Sequence, residues 1–141
     1  MLEKFEKKIM RNSSDFARVE DWQTFGMYDR AYAGSEFNAF LKQPESVFQS
    51  KQAKVLKAGR SSTVIKISLD QHTYVIKRYN LKSFSHRMRR MLRPTRAFTS
   101  WRLTQKMNLL GVKTAKPIAF IEKRFFGLRG KSYFVMEHVP G

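Results

Sequence analysis

Three runs of strand-forming residues follow one another between Lys54 and Tyr79, and they constrain the fold of this chain more than any other feature. The runs are rich in β-branched and aromatic residues. A glycine-containing turn at residues 59–63 separates the first two runs, and a polar turn at residues 69–72 separates the last two. Because such residues favour the pleated backbone and both connections are short, the pattern predicts a three-stranded antiparallel meander.

A helix is predicted after this meander. Thr95 is a residue type that caps the first turn of a helix, and Gly111 is typical of a helix end. Apolar residues between them cover most of the helical circumference, which predicts burial on more than one side. Further apolar runs at residues 117–121 and 133–136 predict strands four and five, with a turn between them.

The first 53 residues have a different pattern. Leu2, Phe5 and Ile9 recur at helical spacing, and residues 36–42 form a second short helical pattern that ends before Pro44. With 141 residues and 42% apolar content, the chain can bury one ordinary core. We therefore predict an α+β fold: a helical or irregular extension over residues 1–53, then a five-stranded antiparallel sheet over residues 54–141 with a helix between strands 3 and 4.

Positive charge is concentrated in the second half of the chain. The net charge is +17, and between Asp70 and Glu122 twelve lysines and arginines occur without one acidic residue. Such a field favours an anionic partner, namely nucleic acid, acidic lipid or a phosphorylated sugar. The absence of cysteine excludes disulfides and thiolate metal sites. With neither a signal peptide nor a membrane-spanning run, we expect a cytoplasmic protein, free or peripherally attached to the inner membrane.

Residues 84–93 predict a basic amphipathic helix. Its apolar face carries phenylalanine, methionine and leucine. Its opposite face carries Arg87, Arg89, Arg90 and Arg93. Two interpretations remain open: the apolar face packs on the sheet, or the helix contacts an acidic membrane surface or a phosphorylated glycolipid.

The order of three strands, a helix and two more strands resembles the small lobe of protein kinases. At the level of motifs the chain more closely resembles the lipopolysaccharide kinase (Kdo/WaaP-like) family. The resemblance is carried by VLKAGRSSTVIKI, YVIKRYN, TRAFTSW, GVKTAKPIAFIE and YFVMEHVPG, which together cover roughly residues 54–141. It implies a protein-kinase-like small lobe that ends at the hinge, without the large lobe. It also implies ATP and Mg²⁺ as cofactors, and an inner-core sugar of lipopolysaccharide as the phosphate acceptor.

The resemblance also implies a set of nucleotide contacts. Lys77 would contact the α- and β-phosphates from a rigid strand, and an exposed strand lysine is the competing interpretation. The turn over the phosphates would consist of Gly59, Arg60, Ser61 and Ser62. Val64 and Val75 would enclose the adenine, although both would serve equally well as core residues. The hinge would be formed by Met136, Glu137 and Val139.

Two features depart from the kinase pattern. The predicted helix over residues 95–110 contains no acid to pair with Lys77, and Ser100 lies about where the glutamate is expected. No aspartate follows Asp70, whereas phosphoryl transfer needs one aspartate to orient the acceptor and another to hold magnesium. We therefore predict that the chain alone is inactive, as a truncated frame, a separated small lobe or one half of a split protein.

A non-catalytic basic module is the alternative. It would bind nucleic acid through the lysines and arginines, with Phe84, Phe98 and Trp101 interleaved among them. It could also be a pseudokinase-like lobe that binds a partner protein or an acidic membrane. No helix-turn-helix, RNP or zinc pattern accompanies the charge. The three histidines are too far apart in sequence to suggest metal-ligand spacing.

Overall fold

The computed structural model describes residues 2–80, 95–125 and 128–139. Its strands form a single antiparallel sheet in the order β1-β2-β6-β7-β5-β4-β3. The strands are β1 (Phe16–Glu20), β2 (Thr24–Asp29), β3 (Lys54–Ala58), β4 (Ser62–Leu69), β5 (His72–Tyr79), β6 (Pro117–Phe125) and β7 (Leu128–Glu137). The antiparallel α+β architecture was predicted correctly, but the predicted number of strands was wrong, because the sheet has seven strands instead of five.

The two additional strands come from the part of the chain that was predicted to be helical or irregular. β1 and β2 form a hairpin, and β2 pairs with β6, so residues before Lys54 extend the sheet beyond its last five strands. Phe16, Phe25 and Met27 of this hairpin are buried. They belong to a core cluster that also contains Trp101 and Phe120, and their burial in this cluster explains why this short segment is extended.

The predicted meander is confirmed: β3 pairs with β4, and β4 pairs with β5. The tight turn between β4 and β5 has positive φ at Asp70 (51°) and Gln71 (70°), as in the hairpin turns whose twist matches that of the strands. The Asp70 carboxylate also accepts hydrogen bonds from the backbone N–H groups of Glu36 and Phe37. This hairpin turn therefore fixes the start of a helix in the N-terminal segment.

Helices cover both faces of the sheet. They are α1 (Leu2–Lys8), α2 (Ser35–Lys42), α3 (Glu45–Phe48) and α4 (Arg96–Leu109), with a 3-10 turn at Arg30–Tyr32. On one face, aromatic and aliphatic residues of α2 and α3 pack against β4, β5, β6 and β7. On the other face, α1 and α4 pack against β1, β2, β6 and β7. The sheet is therefore the middle of three layers.

The helix predicted between strands 3 and 4 is confirmed and is α4. Thr95 caps it, because its side chain accepts a hydrogen bond from the Phe98 N–H at 3.2 Å. The prediction that this helix is covered on more than one side is wrong. Its buried residues recur at i, i+4 and i+8, namely Ala97, Trp101 and Gln105. Leu103 is 55% exposed, so a single stripe of the helix packs on the sheet.

Gly26 of β2 is paired with Ile121 of β6. A Cβ atom at this position would lie 2.2 Å from the backbone oxygen of Phe120, and that backbone belongs to a buried strand. We therefore expect Gly26→Ala to lower the free energy of unfolding by about 1–3 kcal/mol through overpacking. Urea denaturation measures this change. Gly59→Ala is the control, because its Cβ would meet no atom closer than 3.3 Å; equal losses for the two variants would contradict the prediction.

The predicted basic amphipathic helix, with Arg87, Arg89, Arg90 and Arg93, lies outside the described residues. Its contact with a membrane or a glycolipid therefore stays a prediction. Among the residues that the structure describes, no helix is long and apolar enough to cross a bilayer.

Candidate functional site

Four lysines lie on one face of the β3–β4–β5 meander. Lys57 is paired with Val64 of β4, and Val64 is paired with Lys77 of β5. Two residues further along β4, Lys66 is paired with Lys54. Because paired residues of adjacent strands project to the same side of a sheet, these side chains share one surface. We call this surface the lysine face and define it as Lys54, Lys57, Lys66 and Lys77.

In the part of the chain that the structure describes, no carboxylate lies within ion-pair distance of the lysine face. Within the described parts of the chain, none of its four lysines forms an ion pair. The single acidic residue between β3 and β5 is Asp70, whose carboxylate binds the first turn of α2. The positive potential of the lysine face is therefore uncompensated, and it will attract anions.

Apolar side chains share the face with these lysines. Val64 lies directly opposite Lys77, and Val75 is paired with both Lys66 and Met136 of β7. Val64, Val75 and Met136 are all partly exposed. The structure thus brings together the predicted phosphate-contacting lysine and the predicted adenine-contacting residues, and their binding roles stay predictions.

Lys77 contacts an aromatic ring. Its Nζ lies 5.0 Å from the centroid of the Tyr79 ring, within the range of a cation–π interaction. The Tyr79 hydroxyl in turn hydrogen-bonds the Ser100 Oγ of α4 at 3.0 Å. A ring contact and a hydrogen bond, neither of which involves a carboxylate, therefore link Lys77 to α4 at Ser100.

The turn between β3 and β4 is held by a side chain that the sequence analysis missed. The Gly59 N–H donates to the Ser62 carbonyl at 2.9 Å, so it is not free to bind a phosphate. The Asn80 amide donates to the Gly59 carbonyl at 3.1 Å, and Arg78 Nε donates to the Asn80 Oδ1 at 2.9 Å. Of the other predicted turn contacts, Arg60 is exposed, Ser61 is partly buried and Ser62 is buried.

This arrangement continues into the N-terminal segment through Glu45 of α3. Arg78 donates from Nη1 to both Glu45 carboxylate oxygens, at 3.0 and 2.9 Å, and the Tyr133 hydroxyl donates to the same carboxylate at 2.8 Å. Burial acts to raise the pKa of Glu45, but the hydrogen bonds from Tyr133 and Arg78 outweigh it and lower this pKa. Burial raises the pKa of Tyr133 above its ordinary value, so its hydroxyl stays protonated even at mildly alkaline pH. Through Glu45, the N-terminal segment therefore helps to fix the turn between β3 and β4.

The predicted hinge residues lie at the end of β7. The Glu137 N–H donates to the Lys116 carbonyl at 2.9 Å, and its carboxylate accepts a hydrogen bond from the Tyr32 hydroxyl at 3.3 Å. The next N–H, that of His138, donates to the Thr73 carbonyl at 3.0 Å. Val139 is 65% exposed. That this hinge offers a carbonyl and an N–H to the base stays a prediction.

Two cavities lie away from the lysine face. One, of about 400 Å³, is bounded by α1, α4 and the ends of β1 and β2, and another of about 250 Å³ lies between α2, α3 and β4. Neither is lined by a predicted nucleotide contact. In the described ranges, no cluster of three or more histidine, aspartate or glutamate side chains could hold a metal ion.

The chain matches no protein-family model and no curated protein sequence. It has a structural likeness to a chain of "WaaP in complex with acyl carrier protein", with 19% sequence identity and a TM-score of 0.46. The likeness covers 69% of this chain and 34% of that chain.

Proposed function

We propose that this chain is the nucleotide-binding small lobe of an ATP-dependent kinase similar to those that phosphorylate lipopolysaccharide core sugars, and that it is inactive alone. The observation that carries the proposal is the lysine face. A nucleoside triphosphate bears several negative charges at one end and a base with apolar faces at the other. Lysines next to Val64 and Val75 match both ends, and a lysine on a rigid strand stabilises phosphate charge without having to reorganise.

The positions of the aspartates support the second half of the proposal. Phosphoryl transfer needs aspartates near the nucleotide phosphates, to orient the acceptor and to hold magnesium. Asp15, Asp21 and Asp29 belong to the β1–β2 region, and Asp70 binds the start of α2. In this proposal the chain therefore supplies the nucleotide contacts. The magnesium ligands and the residues that bind the sugar would be supplied from outside these 141 residues.

Replacing Lys77 tests the nucleotide site. We expect Lys77→Met to weaken ATP binding about tenfold to a hundredfold, because one charge-assisted contact to the phosphates is lost. Isothermal titration calorimetry of the two proteins measures the ratio. Lys113→Met is the matched control, since it removes the same charge from an exposed position after α4. Equal affinity of the Lys77 and Lys113 variants, or no ATP binding by the unmodified chain, would contradict the proposal.

A comparison of two ligands separates this function from that of a non-catalytic basic module. Nucleic acid and other polyanions would also be attracted to the lysine face, with a steep dependence on salt. If the adenine base packs against Val64, Val75 and Met136, ATP must bind more tightly than inorganic tripolyphosphate at the same ionic strength. Equal affinity for the two ligands, together with tight salt-sensitive DNA binding, would support the basic module instead.

A further inference from the structure

We infer that Tyr79 and Ser100 position Lys77, taking the place of the ion pair that protein kinases form between the strand lysine and a helix glutamate. Tyr79 supplies the ring that Lys77 contacts at 5.0 Å, and its hydroxyl reaches Ser100 at 3.0 Å. The consequence for nucleotide affinity rests on the proposed function. The contact between Lys77 and Tyr79 does not, because it exists in the chain itself.

The sheet provides a place for the Tyr79 ring. Tyr79 is paired with Ser62 on one side and with Ser132 on the other. Both serines are small and buried, at 3% and 2% exposure. Side chains of paired residues lie on the same face, so two small neighbours leave room for a large ring beside them. The ring can therefore lie between Lys77 and α4.

The helix that carries Ser100 is fixed to the same strands. At its first turn the Thr95 hydroxyl donates to the buried carboxylate of Glu122 in β6. The Ala97 N–H donates to the Ser132 hydroxyl in β7 at 3.4 Å. Ser100 follows within one helical turn, so its Oγ has a defined position relative to Tyr79. The link from Ser100 to Lys77 is thus supported at both ends.

An aromatic ring positions the ammonium group differently from a carboxylate. An ion pair would neutralise the lysine and occupy some of its three N–H donors, whereas the ring attracts the ammonium through its quadrupole and leaves its charge in place. Lys77 would then present its full charge to the phosphates, and its position would not depend on the ionisation of a partner. Tyr79 and Ser100 are positioning residues in this arrangement, since they act through Lys77.

A mutant cycle tests the inference. Tyr79→Phe and Ser100→Ala remove the same hydrogen bond, so we expect each to weaken ATP binding about twofold to tenfold and the double variant to be no weaker than either. In a Lys77→Met background, Tyr79→Phe should have no further effect. Additive losses, or the same loss with and without Lys77, would overturn the inference. Tyr28→Phe, on β2, is the control for loss of a tyrosine hydroxyl, and thermal unfolding monitors the fold of every variant.

A second measurement needs no nucleotide. Reductive ¹³C-methylation labels every lysine, and the Lys77 signal, assigned with Lys77→Met, should be shifted upfield by the Tyr79 ring current. The shift should disappear in Tyr79→Leu, while the Lys113 signal stays unchanged. A Lys77 signal at the position of free methyl-lysine would overturn the inference, whatever the ATP result. If the unmodified chain showed the ring-current shift but did not bind ATP, the result would instead count against the proposed function.

Discussion

Replacing Trp101 with alanine is expected to lower the free energy of unfolding by about 3–5 kcal/mol, because a large side chain is removed from a closed core. Trp101 is fully buried. Its ring packs edge-on against Phe16 at 5.7 Å and lies 5.6 Å from the Phe120 ring, between centroids. Its indole N–H donates to the carbonyl of Ile9, the residue that follows α1, at 3.1 Å, so this hydrogen bond is lost as well.

Urea denaturation followed by far-UV circular dichroism measures the Trp101→Ala effect. The chain offers a matched control in its other tryptophan, since Trp22 is 79% exposed. We expect Trp22→Ala to change the free energy of unfolding by less than about 0.5 kcal/mol. A loss below about 1 kcal/mol for Trp101→Ala would show that α4 does not pack on the sheet as described, because a buried indole cannot be removed at so low a cost.

Local sequence patterns predicted the part of the fold in which they agree with the tertiary structure. The meander was predictable because β4 and β5 are rich in β-branched residues and because both connections are short. α4 was predictable from its cap at Thr95. β1 and β2 were missed because they are short, and because their extended form depends on pairing with β6, which lies about a hundred residues further along the chain.

The candidate site was predictable to the extent that residue spacing determines it. Val75 and Lys77 are two residues apart, so an extended strand must place them on one face. Lys54 and Lys57 could not be assigned to that face, since a register shift between Val55 and Lys57 brings both onto it. No sequence pattern indicated the side-chain contacts that hold the turn between β3 and β4. They depend on Glu45 meeting a residue 33 positions away, at the end of β5.

Thr95 is the second position at which one substitution should have a large effect. It is 6% exposed, and its hydroxyl has two roles. It accepts the N–H of Phe98 and so caps α4, and it donates to the carboxylate of Glu122, which is 2% exposed. Valine has nearly the same shape but can do neither. We therefore expect Thr95→Val to lower the free energy of unfolding by about 2–4 kcal/mol, as the sum of a lost cap and a lost hydrogen bond to a buried charge.

Two controls separate the chemistry of Thr95 from its volume. Thr95→Ser keeps the hydroxyl and should retain most of the stability, whereas Thr99→Val makes the same change one turn later, at an exposed position, and should have a small effect. Arg124 donates from Nη2 to the other carboxylate oxygen of Glu122, at 3.3 Å, and both controls leave that contact in place. If urea denaturation gave the same loss of unfolding free energy for Thr95→Val and Thr99→Val, the hydrogen bond of the Thr95 hydroxyl would not be what fixes α4 to β6. The position of Ser100 relative to Tyr79 would then need another cause.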